Sequence, residues 1–185
     1  MDEATGTTEA SKRAYSGRLI DVDVETVRLP NGERLELEVI RHPGAAAVVP
    51  LLSDPTAADP AVLLLRQFRH AAGGTIWEIP AGTLKANEAP EECARRELTE
   101  ETGATADKIE HLTTIFTTPG FTDEKIHLFM ASGIRAGEPS REAGELIETD
   151  VKPMSRILEM IRDGDICDAK SIVGLLYVAG YRLTK

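Results

Sequence analysis

The densest chemistry in this chain lies between positions 81 and 104, where Arg96 is followed by Glu97, Glu100 and Glu101. On a helix, at about 100° per residue, Glu97 and Glu101 fall within about 40° of each other and one turn apart, with Glu100 beside them. Ala94 and Leu98 edge the same face and turn it toward a core. Carboxylates at these spacings repel one another, and a half-buried acidic cluster needs a cation to neutralise it. Hard oxygen donors on one face suit Mg²⁺ or Mn²⁺ rather than zinc. Taken alone, three glutamates on a helix read first as a solvated acidic face satisfied by Arg95 and Arg96. The decision therefore rests on the residues around them.

Those residues fall in a fixed register: Gly82, Glu88, Arg96-Glu97-Leu98, Glu100-Glu101 and Gly103, with Ala104 as a small last position. At average composition, so many identities at fixed spacing have a chance of roughly 10⁻⁹–10⁻⁸ per starting point. The run resembles the signature of the Nudix hydrolases. The resemblance implies an α/β fold: a Nudix-type α/β/α sandwich with a mixed sheet, in which a loop–helix–loop holds the signature at the sheet edge. It implies that Glu97 and Glu101 ligate metal directly, with the Ala81 carbonyl as a further ligand and Glu100 as a ligand or its neighbour. Glu88 and Arg96 would hold the loop against the helix, Gly82 would permit the sharp turn, and Gly103 stands where a C-terminal cap belongs. The implied cofactor is Mg²⁺, with Mn²⁺ as the alternative. The implied chemistry is hydrolysis of a nucleoside diphosphate linked to a further group, the metal neutralising charge on the diphosphate and acidifying the attacking water.

Two outlying segments narrow the substrate. Pro119-Gly120-Phe121-Thr122-Asp123-Glu124 places a proline 15 residues beyond Ala104. Arg66-Gln67-Phe68-Arg69 precedes Trp77-Glu78-Ile79-Pro80-Ala81-Gly82. Both runs resemble the ADP-ribose pyrophosphatase branch. That branch implies Arg69 on the substrate phosphates, where guanidinium pairs bidentately. It also implies Pro119, Gly120 and Phe121 in substrate binding. Trp77, the only tryptophan, is either a core residue or a platform for the base. The expected reaction is ADP-ribose to AMP and ribose 5-phosphate. The alternatives are a hydrolase of another nucleoside diphosphate sugar such as GDP-mannose, or a non-catalytic domain that senses ADP-ribose. The full set of acidic ligands argues against the last.

The catalytic base is open between three positions. The branch often carries a Glu-x-Glu pair in a late loop, and here that loop reads Glu142-Ala143-Gly144-Glu145. Glu145 takes the second, metal-facing position, and Ala143 stands at the first. Glu142 could substitute by re-registration, or a signature glutamate, Glu100 among them, could take the proton.

The elements that must hold these residues follow from punctuation and period. Residues 1–13 read as a solvated, disordered tail. Residues 14–41 alternate around Pro30-Asn31-Gly32, a strong hairpin signal. In the branch such a hairpin crosses to a second copy, so a homodimer is expected, with 14–41 as its dimerisation element and 42–185 as the hydrolase domain. Short apolar strands are expected at 45–52, 61–68, 75–80, 109–116 and 125–131, and helices at 89–102, 155–162 and 169–181. The segment 133–145 reads as a polar loop.

Composition limits the partners. Against 31 acidic residues there are 21 Lys and Arg, a net charge of -10, which excludes a general nucleic-acid or anionic-membrane binder. Two cysteines make no disulfide framework and, with no apolar leader at the N-terminus, fit a cytoplasmic protein.

Overall fold

The structure, a computed structural model, describes residues 5–141 and 144–182. The chain divides into two compact units: residues 1–44 with 116–125, and residues 45–115 with 126–185.

The first unit is a three-stranded antiparallel sheet in the order β1-β2-β3, with β1 at Thr7–Ser16, β2 at Asp21–Arg28 and β3 at Arg34–Arg41. The Pro30-Asn31-Gly32 turn forms as expected: Gly32 sits at φ +88°, and Asn31 caps the Glu33 amide at 3.0 Å. Strand β1 corrects the expectation of a disordered tail over 1–13, since residues 7–13 pair with β2. No apolar burial announces it, because every residue of β1 is exposed. It is held by ladder bonds and charge pairs instead: Arg13 with Asp21 and Asp23, and Glu9 with Arg28 and Arg34. The second correction is that the unit draws in residues 116–125. Ile40 donates its amide to Phe121 O at 2.8 Å, and Arg41 pairs with Asp123 at 3.0 Å. The Pro119–Phe121 run is therefore fastened to β3.

The second unit is built on two further sheets. One has the order β10-β5-β6, from Ile147–Pro153, Ala61–Arg69 and Gly74–Glu78. The other has the order β7-β4-β9-β8, from Ala81–Thr83, Ala45–Pro50, Lys125–Arg135 and Thr105–Phe116. It is mixed, since β4 runs parallel to β9 and antiparallel to β7. Three helices complete the unit: α1 at Pro90–Thr102, α2 at Met154–Asp163 and α3 at Ala169–Tyr177.

Strand β4 explains the layering. It is buried end to end, so its two faces feed two cores. Ala45, Ala47 and Val49 pack with Met154, Ile157 and Leu175 of α2 and α3. Ala46 and Val48 pack with Cys93, Ala94 and Leu98 of α1. Helices thus cover both faces of the sheet, the α/β/α sandwich that the sequence predicts. Two short pieces escaped the sequence reading. Strand β10 has exposed residues at most positions, and β7 is three residues long. Strand β9 also runs on to Arg135, into the segment read as loop.

Candidate functional site

Helix α1 starts at Pro90, which suits a first turn, and Glu92 accepts the Ala89 amide at 3.2 Å. It ends at Gly103, whose φ of +75° allows its amide to bond Thr99 O at 2.8 Å. The loop beyond β9 completes the cap: the Ser140 amide bonds Glu100 O at 2.9 Å and Arg141 Nε bonds Glu101 O at 3.0 Å. Helix and loop are thereby fixed to each other on the side that leads to Glu145.

Glu97 and Glu101 are buried on α1 among Cys93, Ala94 and Leu98. Burial pushes the Glu101 carboxyl up to about 8, against the one backbone bond it accepts from Ala81 at 3.0 Å. Burial also raises Glu97, with Arg96 opposing the shift. The negative charge of Glu145 adds to the upward shift of both. Glu100 remains at the rim, with Oε2 at 3.0 Å from Arg96 Nη1 and Oε1 at 3.9 Å from Lys85.

Arg96 and Glu88 make the brace that the sequence predicts. Arg96 Nε and Nη2 grip the two Glu88 oxygens at 2.7 and 2.9 Å, and Nη2 also donates to Thr83 O at 3.2 Å. That guanidinium holds Glu88 down to about 2. Arg96 also contacts Glu97. Gly82 lies tight against the acidic face: a Cβ there would displace the Glu97 carboxylate. Cys93 is buried, and burial pushes its thiol up to about 12, so it is no nucleophile.

The strands supply the rest. Arg69 ends β5 and donates from Nε to Glu78 at 2.9 Å, close enough to Glu101 to favour its ionised form. Just ahead of β10, the Phe68 amide bonds Leu146 O at 3.1 Å, so the chain carrying Glu145 continues the β5–β10 ladder toward Arg69. Arg66, Phe68, Thr75 and the run Glu145–Glu148 line a groove of about 510 Å³, within the range of small-molecule sites. Trp77 is half-buried against the core, with Arg66 and Lys152 at 5.3 and 5.2 Å from its ring centroid. It serves the core and presents its ring to cations. Phe121 is exposed and lines a separate hollow of about 390 Å³ within the first unit, with His42 and Ile40 among its walls. Pro119 and Gly120 are exposed in the same turn. Glu142 lies outside the described residues. The sequence reading assigned no part to Glu78 or Lys170, which pair at 2.8 Å in the interior. The available signal was a glutamate set between Trp77 and Ile79 in an apolar strand, a charge that burial obliges to find a cation.

The donor set fits a divalent cation. Two buried carboxylates that burial drives toward protonation, Glu97 against the Gly82 turn and Glu101 on the Ala81 amide, are hard oxygen donors of the kind that a divalent cation takes. Among the described residues no three acidic, His or Cys side chains converge into a ready-made cage. Arg96 explains the spread, since it draws Glu97 and Glu100 to itself.

Buried acids on a helix, an arginine brace and a glycine turn are thus set against one face of a mixed sheet. The model of the NUDIX domain matches residues 41–164, and the chain belongs to that family. It is 38% identical over 173 residues to the ADP-ribose pyrophosphatase of Bacillus subtilis (strain 168), covering 92% of this chain and 91% of that one. It is 33% identical over 183 residues to the ADP-ribose pyrophosphatase of Mycobacterium tuberculosis, covering 96% and 85%. A solved structure described as an ADP compounds hydrolase shares the fold at a TM-score of 0.80 and 20% identity, over 95% of this chain and 93% of the other.

Proposed function

We propose that the protein hydrolyses the diphosphate of ADP-ribose, giving AMP and ribose 5-phosphate with Mg²⁺ as the cofactor. The observation that carries the reading is the pair of buried carboxylates on one face of α1, Glu97 against the Gly82 turn and Glu101 on the Ala81 amide. The relatives named above support ADP-ribose as the substrate.

A divalent cation supplies charge neutralisation at the diphosphate and acidifies a neighbouring water. Glu97 and Glu101 would hold it, with the Ala81 carbonyl, Glu145 and Glu100 as the further candidate donors. Gly82 keeps the backbone close, while Glu88 and Arg96 keep the loop on the helix. Arg69 pairs with phosphate oxygens. Glu145 takes the proton from the water that attacks phosphorus, and the bridging oxygen leaves with its electron pair. Trp77 contributes the ring that its two cations flank. We propose further that the protein acts as a cytoplasmic homodimer through residues 14–41.

A substrate panel with Mg²⁺, read as AMP, GMP or sugar phosphate released, tests the proposal. ADP-ribose is expected to give the highest kcat/KM. A higher value for GDP-mannose overturns the substrate assignment, and activity that persists in excess chelator overturns the metal.

A further inference from the structure

The second unit contains an ion network of which hydrolysis, as described so far, uses Arg69 alone. Glu78 at the end of β6 is almost wholly enclosed, its side chain 4% exposed. Two cations meet it: Arg69 Nε at 2.9 Å on Oε2, and Lys170 Nζ at 2.8 Å on Oε1. Lys170 is itself only 11% exposed and also reaches Asp168 at 2.9 Å. Asp168 caps α3, accepting from the Ser171 amide and hydroxyl, and the Ser171 hydroxyl accepts the Ile79 amide at 2.8 Å. The first turn of α3 is thus tied to the backbone that runs from Glu78 through Ile79 to Ala81.

Enclosed ion pairs of this kind contribute little net stability, because desolvation offsets the attraction. The arrangement has another consequence. Arg69 is the member of the network that is open to solvent, at 40% exposure, and the carboxylate takes it by Nε. A guanidinium has five donors in a planar fork, so a carboxylate on Nε fixes the plane of the group. Long cationic side chains otherwise lose much rotamer freedom on binding an anion. An arginine fixed before the anion arrives has less left to lose.

We propose that Glu78 and Lys170 are positioning residues that pre-set Arg69 for the substrate diphosphate, with α3 as the anchor. This rests on the reading of Arg69 as the phosphate ligand. Glu78 orients the guanidinium, and Lys170 balances and locates the Glu78 carboxylate from the other side.

The test is a set of steady-state measurements with ADP-ribose at saturating Mg²⁺ on Glu78→Gln, Lys170→Met, Lys170→Arg and Arg69→Ala, and on the first two combined with Arg69→Ala. Glu78→Gln and Lys170→Met are expected to raise KM about tenfold with kcat within about threefold, and Lys170→Arg to restore most of the wild-type KM. In the Arg69→Ala background each should add less than about twofold, because residues that act through a third are non-additive with its loss. Unchanged KM in the single variants, additive effects in the Arg69→Ala background, or an Arg69→Ala variant with wild-type KM each overturn the inference while leaving hydrolysis itself standing. Should Glu78→Gln fail to fold, the Lys170→Met and Lys170→Arg pair carries the test. Absence of ADP-ribose hydrolysis by the wild type overturns the underlying function together with the inference.

Discussion

Glu101 and Glu88 face the same loop and are shifted in opposite directions, which gives the protein two pH limits. Glu101 is raised from 4.5 to about 8, so the folded state binds its proton more tightly than the unfolded chain does. Its stabilising contribution is full below about 4.5 and is lost as pH rises through about 8, and Glu97 acts in the same sense. Glu88 is lowered to about 2, so its contribution is present above 4.5 and lost as pH falls toward 2. In excess chelator, thermal melts should therefore give Tm values that decline from about pH 5 to about pH 8.5. Added Mg²⁺ should flatten that alkaline decline by compensating the ionised carboxylates. An alkaline limb that is flat in chelator would contradict the burial argument. Glu97→Gln and Glu101→Gln should each lower kcat by about 10²–10⁴-fold if they are the metal ligands proposed above, while Tm in chelator holds or rises. Wild-type turnover in either variant would remove the metal centre from the mechanism. These residues were legible in the sequence because helix spacing alone puts Glu97 and Glu101 on one face. Glu145 was named only through the family resemblance, because no local spacing ties it to α1: it lies far along the chain, where the segment ahead of β10 continues the ladder with β5.

At the scale of elements, the glycines at either end of the signature differ in what they tolerate. A Cβ at Gly82 would strike the far end of the Glu97 side chain, which can swing away. A Cβ at Gly103 would strike the Gly137 and Glu138 backbone, at a φ of +75° that already disfavours a side chain. Gly103→Ala is thus expected to cost at least about 1–2 kcal/mol of stability from backbone strain alone. Gly82→Ala should leave Tm within a few degrees and yet depress kcat, because it displaces a ligand. Parallel melts and turnover measurements separate the two; a large loss of Tm in Gly82→Ala, with Gly103→Ala unaffected, would reverse the assignment. The helix itself could be read from Pro90, its acidic first turn and Gly103, since local chemistry sets both ends. Strand β10 could not, because its exposed and partly exposed residues follow no clean alternation and its pairing partner is distant. The sequence likewise gave no hint that residues 137–141 close over the last turn of α1. That contact is made by backbone carbonyls and one arginine, which carry no periodic signal.

At the scale of the whole molecule, the first unit poses the question of what its surface is for. Strand β1 is ten residues long and exposed throughout, and Leu35, Leu37, Tyr15 and Leu19 lie open to solvent in the same unit. An edge strand left bare is a template for pairing with another chain, and proteins generally shorten or cover such edges. Within the unit, cohesion comes from charge rather than from an apolar core: Asp23 and Glu25 are buried, and Arg13 and Arg41 neutralise them. A sheet held this way keeps its shape while its apolar side chains remain available to a second copy. Sedimentation of the full chain is therefore expected to show a dimer. Deleting residues 1–41 is expected to give a monomer or an aggregate with little activity, since it removes all three strands together with the partners of Asp123 and Phe121. Deleting residues 1–12 is a finer probe. It removes residues 7–12 of β1, more than half of the strand, and the Glu9 pairs with Arg28 and Arg34, yet exposes no core. Because exposed pairs contribute only about 0–1 kcal/mol each, the shorter protein should keep its fold and its melting temperature nearly intact. If β1 lies in the contact, it should still dissociate at higher concentration than the full chain. A monodisperse, fully active monomer after the 1–41 deletion would remove the second copy from the mechanism and leave the exposed leucines to some other partner.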